Sequence, residues 1–412
     1  MARPSSLAGS RPPRVDDGGG IVQPLPRGDH DARMLVLVVT LLVAFGTVMV
    51  ASASEGVAAT TGGSTWGLMT RDLVYLGFGA IAFYVVARVR LSYVVRRAPL
   101  VMTIALGLLV AVKIVGVSAN GGKRWLNLHI IDLQPSELFK LATVLFVAWA
   151  VDRHGDEFTR WGPLARWMLP VVAGAGLIVI EPDIGTSSVV VAIAFVMLAT
   201  AGLAWRKLAW VACGGLLGFG GYMIYRPYSA RRFFSFLHPN QDLLGSGYQL
   251  LQSKIGLGAG GLTGLGLGHS REKWGLLPNP HTDFIFTIVG EELGLLGTVA
   301  VIALFAWFLF VAVRIAERSS NGVYRVMVVG VTAWIMLEVV INVASVVGWW
   351  AVTGVPLPFF SYGGTALITE LAAMGLVYNV AHDRGRASPA PDQRYSRHRP
   401  ERGLGESRGG AR

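Results

Sequence analysis

A single aspartate stands where a polar loop meets a long apolar segment. Asp283 follows His281 and Thr282 and precedes the apolar run that begins at Phe284. A carboxylate at such a boundary can face a polar cavity and act as a general base on a hydroxyl group. An aspartate in front of an apolar helix can instead cap the helix N-terminus. The sequence leaves both roles open, and they are compatible with each other.

Two adjacent cations, Lys123 and Arg124, precede Trp125 in the connection between two other apolar segments. Tryptophan is enriched at the boundary between a membrane and water. A guanidinium group binds phosphate oxygens through two parallel hydrogen bonds. The two cations are therefore predicted to hold a pyrophosphate group near the membrane surface.

Further ionisable residues lie inside apolar segments or at their ends: Lys113, Glu137, Lys140, Glu181, Asp183, Glu291, Glu292, Glu338 and Glu370. An ionised side chain at the centre of a bilayer costs about 2.5–3.5 kcal/mol, so unpaired groups facing lipid are excluded. Glu137 and Lys140 are three residues apart and can neutralise each other on one helix face. The alternative is a polar cavity, open to the outside, into which Lys140 projects its cation. Glu338 and Asn342 share a helix face and predict a contact between helices.

Glycine is concentrated in one segment, Gly256 to Gly268. Gly256, Gly258 and Gly261 match the G-x-G-x-x-G pattern of dinucleotide-binding proteins. No strand–helix–strand pattern surrounds them, so we interpret the segment as a site of close backbone packing and tight turns. The alternative is a cradle of backbone amides for a phosphate, such as the head group of a lipid carrier.

The elements that must position these residues are membrane helices. The chain has 412 residues, of which 53% are apolar and 15% are charged, whereas soluble domains carry about 25% charged residues. Runs of about 18–20 apolar residues match the hydrocarbon core of a bilayer. A cytosolic enzyme, a coiled coil and, with Cys213 the lone cysteine, a disulfide-stabilised secreted domain are excluded. We predict an all-α polytopic integral membrane protein with about ten transmembrane helices, at residues 34–54, 73–88, 98–117, 136–151, 164–181, 185–202, 207–225, 284–314, 323–350 and 363–382.

Basic residues are distributed unevenly over the connections between these helices. With the N-terminus inside, 25 of the 36 lysines and arginines fall in inner segments and 9 in outer segments. This asymmetry predicts that both termini are cytoplasmic. The net charge of +11 is then a topology signal that also favours anionic lipid, and no nucleic acid is predicted as a partner.

Three segments lie outside the predicted spans. Residues 1–33 and 383–412 are rich in proline, glycine and charge, which predicts disordered cytoplasmic tails. The outer connection 226–283 is 58 residues long, and connections of that length are usually functional or disordered. Its aromatic and apolar residues predict a structured outer loop between helices seven and eight.

Several motifs resemble those of one membrane-protein family in their order and spacing. The motifs are Gly122-Lys123-Arg124-Trp125, Gln134-Pro135-Ser136-Glu137-Leu138 with Lys140, Glu181-Pro182-Asp183-Ile184-Gly185-Thr186, His281-Thr282-Asp283-Phe284, Glu291-Glu292-Leu293-Gly294, Pro356-Leu357-Pro358-Phe359 and Ser361-Tyr362-Gly363-Gly364. Over residues 34–382 the chain is similar to the SEDS proteins (shape, elongation, division and sporulation), which include FtsW, RodA and SpoVE. The stretch from Gly268 to Lys273 is most similar to the division branch, FtsW. Ala351 departs from the family pattern, which usually has proline there.

The resemblance implies a peptidoglycan glycosyltransferase that polymerises lipid II into glycan strands on the outer face of the bacterial cytoplasmic membrane. Septal wall synthesis in cell division is the implied role, and the implied catalytic residue is Asp283. The residues expected to bind the substrate and its pyrophosphate are Arg124, Lys140, Glu137, Asp183, Lys123 and Lys273. Undecaprenyl pyrophosphate would be the leaving group. No cofactor is certain; a divalent cation, Mg²⁺ or Mn²⁺, could assist the pyrophosphate, but no metal ligand set is readable.

The implied partners are lipid II, the undecaprenyl-linked glycan, a class B penicillin-binding transpeptidase and other division proteins. Alternative functions are a lipid II flippase and a non-catalytic division scaffold. A role in elongation, like that of RodA, is the alternative within the family.

Overall fold

In a computed structural model, the chain is described over residues 27–61, 64–119, 122–127, 132–226, 230, 233–239 and 245–382. These residues are mainly helical. The helices are α1 (Arg27–Thr61), α2 (Thr65–Arg88), α3 (Leu91–Val115), α4 (Pro135–His154), α5 (Trp161–Ile180), α6 (Ile184–Thr200), α7 (Trp205–Tyr225), α8 (Ser246–Gly260), α9 (Ile285–Arg318), α10 (Gly322–Val347) and α11 (Thr365–His382). A 3₁₀ helix (Gly155–Thr159) follows α4, and three short strands, β1 (Val117–Ala119), β2 (Gly122–Asn127) and β3 (Asp132–Leu133), connect α3 to α4.

Each of the ten predicted spans coincides with a helix. Within the described part of the chain, seven helices are long and apolar enough to cross a membrane, namely α1, α2, α3, α5, α7, α9 and α10. They confirm the polytopic membrane fold. The apolar helix α6 has 17 residues, and α4 and α11 carry buried charged side chains. The number of ten crossings therefore stays a prediction.

The first helix begins earlier than the sequence predicts. Because α1 starts at Arg27, residues 27–33 are helical and do not belong to a disordered tail. The Asp31 carboxylate, on a side chain that is 3% exposed, forms ion pairs with Arg314 and Arg318 of α9. These pairs hold a polar helical turn that hydropathy cannot detect. The rest of the predicted tails, 1–26 and 383–412, lies outside the described residues.

Helix α4 is buried on all sides. Fourteen of its 20 residues are buried, and it contacts α3, α6, α10 and α11. Pro135 opens the helix, where its fixed φ angle suits the first helical turn. Any charge that α4 carries must be compensated by its neighbours, because an isolated buried charge is too costly.

A three-stranded antiparallel sheet between α3 and α4 was not predicted. Val117 of β1 pairs with Trp125 of β2, and Leu126 of β2 pairs with Leu133 of β3. The strands have two to six residues, which is too short for a clear alternation of apolar and polar positions. The fold is nevertheless all-α in its spanning part, and the sheet presents the Lys123-Arg124 pair.

Helix α9 is broken at Gly294, which has φ 66° and ψ −161°. The loop before α9 fills the break. The Leu265 N–H donates to the Glu291 carbonyl, and the Leu295 N–H donates to the Gly261 carbonyl, both at 2.9 Å. Backbone groups within a membrane must find protein partners, so the loop supplies partners for the broken helix. The outer loop between the seventh and eighth predicted spans, which in the structure contains α8, is therefore structured where it enters the break in α9, as predicted.

The glycine-rich segment 256–268 makes this insertion possible. A Cβ atom on Gly260 would collide with the Gly290 carbonyl, and one on Gly264 would collide with the Glu292 carbonyl. Gly264 also has φ +79°, which strains any other residue. The prediction of close backbone packing and tight turns is confirmed.

Candidate active site

A polar cavity of about 360 Å³ lies at one end of the bundle. It is lined by residues from four connections, those between α3 and α4, α5 and α6, α8 and α9, and α10 and α11. Helical residues complete the lining: Glu137 of α4, Thr186 of α6, Gln249 of α8 and Ala366 of α11. Four of the predicted site residues line it: Arg124, Glu137, Asp183 and Asp283. The structure thus gathers residues that are up to 159 positions apart in the sequence.

Asp283 reaches this cavity from the turn in front of α9. The N-cap position of α9 is occupied by Phe284, which makes no side-chain capping hydrogen bond. Asp283 therefore precedes the N-cap position of α9, and the structure does not support its interpretation as the N-cap residue. The Asp283 backbone carbonyl accepts a hydrogen bond of 2.9 Å from the Asn342 side chain of α10. This bond fixes the backbone from which the carboxylate extends.

Arg124 connects the sheet to the turn between α5 and α6. Its Nε donates to the Glu181 carbonyl at 2.9 Å, and its Nη2 donates to the Pro182 carbonyl at 2.8 Å. Its Nη1 lies 3.9 Å from the Asp183 carboxylate, which itself caps α6 by accepting from Thr186. The guanidinium is thus oriented by two carbonyls while it lines the cavity, as an anion-binding group should be.

Glu181 lies beside this turn. Burial raises the pKa of the Glu181 carboxyl to about 7, although the Lys113 ammonium, 4.0 Å away, favours the ionised form. The Asp183 carboxylate raises this pKa further, and Arg124 acts against it. Glu181 does not line the cavity, but the charge beside the turn that binds Arg124 changes within the neutral pH range.

Lys140 is held in a buried ion cluster next to the cavity. Its Nζ lies 2.7 Å from the Glu137 carboxylate and also bonds the Glu338 carboxylate of α10. The Trp334 ring lies below the ammonium, with its centroid 5.1 Å away. Of the two alternatives for Lys140, neutralisation by Glu137 is confirmed. Glu137 lines the cavity, whereas Lys140 is not among the lining residues.

Besides Lys140, two further predicted site residues do not line the cavity. Lys273 is fully buried elsewhere, with its Nζ 3.2 Å from the Glu55 carboxylate, 3.4 Å from the Glu292 carboxylate and 3.2 Å from the Ser52 hydroxyl. It fastens the loop to α1 and α9. Lys123 is exposed on β2 and is not among the residues that line the cavity.

The cavity also contains polar residues that the sequence analysis did not assign to the site. Gln249, His281, Thr353 and Tyr362 all line it. Burial lowers the pKa of His281, which favours the neutral imidazole, and its Nδ1 is buried without a hydrogen-bond partner. Burial raises the pKa of Tyr362 to about 12, so its hydroxyl stays protonated. In the sequence, His281 is marked by its place in the motif that contains Asp283, two residues before the aspartate.

The described residues do not form a metal site. Nowhere in the described ranges do three or more His, Cys, Asp or Glu side chains gather so that they could hold a metal ion. Asp183 and Asp283 line one cavity, but no third ligand completes a set with them.

The chain is similar to proteins of one family over most of its length. The family model described as "Cell cycle protein", FtsW/RodA/SpoVE, matches residues 32–386. Stage V sporulation protein E of Bacillus subtilis is 37% identical over 351 residues, which cover 84% of this chain and 96% of the relative. A probable peptidoglycan glycosyltransferase FtsW of Methylococcus capsulatus is 39% identical over 347 residues, which cover 82% and 87%.

Solved structures agree with this relationship. A chain of a peptidoglycan synthase complex that coordinates polymerization and crosslinking superposes with a TM-score of 0.71 at 30% identity, covering 85% of this chain and 97% of that one. The rod shape determining protein RodA of Thermus thermophilus superposes with a TM-score of 0.62 at 28% identity, covering 85% and 96%. The sequence motifs, the helical fold and these similarities agree, and the chain belongs to the SEDS family of FtsW, RodA and SpoVE.

Proposed function

We propose that the chain polymerises lipid II into glycan strands, with Asp283 as the general base. Peptidoglycan glycosyl transfer is the activity named for the curated FtsW relatives. The observation that carries the proposal for this chain is the shared cavity, because Asp283 and the guanidinium of Arg124 line the same polar space. A glycosyl transfer with a pyrophosphate leaving group needs a proton acceptor and a cation in one place.

The reaction assigns a separate task to each of these groups. The 4-hydroxyl of N-acetylglucosamine in lipid II attacks the anomeric carbon of the growing strand, and Asp283 accepts the hydroxyl proton. The bond from that carbon to the undecaprenyl pyrophosphate breaks, and the electron pair leaves with the pyrophosphate. Arg124 stabilises the charge that develops there. The neutral His281 and the protonated Tyr362 supply hydrogen bonds that orient the sugar.

The cavity belongs on the outer side of the cytoplasmic membrane. Its residues come from connections that follow the third, fifth, seventh and ninth predicted spans, and alternating spans bring these connections to the same side. The excess of lysine and arginine lies in the other connections and the tails, which favours cytoplasmic termini. Lipid-linked substrate presented outside the cell would reach Asp283 directly.

A class B penicillin-binding transpeptidase is the proposed partner. A structurally similar chain comes from a complex that combines polymerization with crosslinking. The complete motif set of a crosslinking enzyme, Ser-x-x-Lys accompanied by Ser-Asp-Asn and Lys-Thr-Gly, does not occur in this sequence. The similarity of the loop to FtsW supports a role in division, together with other division proteins at the septum. Copurification from membranes that never recovers a transpeptidase would contradict the partnership.

The deciding experiment is polymerisation of lipid II by the purified full-length chain, with and without the transpeptidase. We expect glycan strands, detected by gel electrophoresis, whose formation needs the SEDS chain. A flippase would move lipid II across liposomes and form no strands. A scaffold would do neither. The pairing of Lys140 with Glu137 and Glu338 favours the polymerase, because it neutralises a cation that a polar path across the membrane would need.

A further inference from the structure

A second polar cavity, of about 260 Å³, lies between the start of α3, the end of α4 and the start of α10. We call it the inner cavity, because its connections follow the second, fourth and eighth predicted spans. It is thus at the opposite end of the bundle from Asp283. Its polar lining residues are Ser92, Arg96, Asp152, Arg153, Asn321 and Tyr324.

Cationic groups dominate the inner cavity. Its lining contains two arginines, Arg96 and Arg153, and one carboxylate, that of Asp152. The Arg153 Nε lies 3.9 Å from this carboxylate, and the Arg153 side chain is 59% exposed. Such a separation exceeds a hydrogen bond, so the guanidinium retains donors for another anion. Five N–H groups in a fixed planar arrangement match the oxygens of a phosphate.

The ends of the helices add to the positive electrostatic potential of the inner cavity. Both α3 and α10 begin at the inner cavity, and the N-terminus of a helix carries about half a positive elementary charge. The C-terminus of α4 also lies at the cavity, where the helix dipole has its negative end. Arg153 and His154 in the last turn of α4 offset this negative charge. The combined field of helices and arginines favours an anion.

The apolar part of the lining indicates what kind of anion enters. Val95, Trp149 and Val323 complete the wall, and tryptophan and tyrosine favour the membrane interface. A ligand that fits both parts has a charged head and an apolar body. We propose that the inner cavity binds the phosphodiester head group of an anionic phospholipid, with Arg96 and Arg153 holding the phosphate. Basic pockets between membrane helices bind such head groups in other proteins.

The test measures how much phosphatidylglycerol the purified full-length chain retains in detergent, by native mass spectrometry. Phosphatidylcholine with the same acyl chains is the lipid control. The double variant Arg96→Gln, Arg153→Gln should bind phosphatidylglycerol about 30-fold more weakly, because each arginine contributes about fivefold to the affinity. The matched control, Arg97→Gln with Arg160→Gln, removes the same charge from exposed arginines outside the inner cavity and should retain the lipid as the wild type does.

A variant with increased affinity shows that the measured changes in lipid binding do not come from loss of the folded state. Asp152→Asn removes the opposing carboxylate and should strengthen phosphatidylglycerol binding about fivefold. Equal retention by wild type, double variant and Asp152→Asn would overturn the proposal, as would an equal loss in the matched control. A third arm adds inorganic phosphate. If phosphate alone binds with the same dependence on the two arginines and displaces the lipid, the site takes a soluble phosphate and the assignment to lipid is wrong.

Discussion

Asn342 joins the two walls of the cavity that contains Asp283. Its side-chain amide donates to the Asp283 carbonyl at 2.9 Å and to the Val355 carbonyl at 2.8 Å. Val355 lies between Gly354 and Pro356, which line the same cavity as Asp283. One buried side chain on α10 therefore sets the distance between the proposed base and the surface that faces it.

Substitution of Asn342 should lower the polymerisation rate without removing any reacting group. Asn342→Ala lets the two walls move, and a misplacement of about 1 Å can cost about 10²-fold in rate. We expect the loss in kcat, with little change in KM. The variant should also melt earlier, since each buried unpaired carbonyl costs about 1–3 kcal/mol.

Ser345→Ala is the matched control for that experiment. The Ser345 hydroxyl lies on the same helix and donates to the Ala351 carbonyl at 2.6 Å, and no hydrogen bond joins it to Asp283 among the described contacts. The Ser345→Ala variant should have a lower melting temperature, while its polymerisation rate stays near that of the wild type. If both variants lost activity in proportion to their stability, a specific positioning role of Asn342 would be excluded.

The two neighbouring cations of β2 should behave differently. Arg124→Ala removes a cavity cation that two carbonyls orient, and loss of one such donor costs about 10²–10³-fold in rate. Arg124→Lys should recover only part, because an ammonium lacks the planar fork. Lys123→Ala should leave the rate nearly unchanged, since Lys123 is exposed beside the cavity. Equal losses from both positions, measured by lipid II polymerisation, would refute this distinction.

Part of the site could be predicted because membrane spans alternate in direction. Asp283, Arg124 and Asp183 stand at the ends of apolar segments on one predicted side, and alternation brings such ends together. Lys273 stands on the same side, but the glycine-rich segment folds back into the break in α9. Hydropathy carries no information on that path, so the burial of Lys273 against α1 could not be foreseen.

Other features have signals too weak to be detected in one sequence. Gly294 follows Glu291 and Glu292 within an otherwise apolar segment, and neither the glycine nor the two carboxylates reveal that α9 breaks there. The strands of the sheet are too short for periodicity. His281 and Tyr362 meet only because separate connections converge, with the Tyr362 N–H donating to the His281 carbonyl at 2.9 Å. Contacts of that kind require the fold.

The stability of the loop should depend on pH through Glu272. Burial, and then the Glu291 carboxylate, raises the pKa of Glu272 from 4.5 to about 7. A raised pKa means that the folded state holds the proton more tightly than the unfolded state, so stability falls as pH rises from about 4.5 to 7. Glu272→Gln should therefore raise the melting temperature at pH 8 and change it little at pH 4.5.

Glu317→Gln, on the exposed end of α9, is the comparison for this measurement. This variant removes one exposed carboxylate and leaves the buried carboxylates unchanged, so it should shift the melting temperature little at either pH. A Glu272→Gln variant that showed the same small shift at both pH values would contradict a buried, proton-binding Glu272.

The orientation can be tested with single cysteines in a Cys213→Ala background. Ser64 and Ser320 are both exposed, in the connections that follow the first and eighth predicted spans. A cysteine at Ser64 should react with a membrane-impermeant thiol reagent added to intact cells, and one at Ser320 should react only after lysis. The reverse labelling pattern would place the Asp283 cavity in the cytoplasm and remove the proposed function with it.

The proposed chemistry depends most directly on Asp283. Asp283→Asn keeps the size of the side chain, but asparagine cannot accept the proton. A general base should lose about 10²–10⁴-fold in rate, while the variant still inserts, keeps its melting temperature and still binds the transpeptidase. Asp283→Glu keeps the carboxylate but displaces it, and should recover little, since misplacement alone can cost about 10²-fold.

Asp183→Asn is the matched control, because it removes a carboxylate from the same cavity. The Asp183 carboxylate accepts from the Thr186 N–H at 3.0 Å, and asparagine can replace that cap. The loss of rate should therefore be much smaller than for Asp283→Asn. If folded Asp283→Asn polymerised lipid II at nearly the rate of the wild type, Asp283 would not be the base. The remaining carboxylates of the cavity, Glu137 and Asp183, would then be the groups to test.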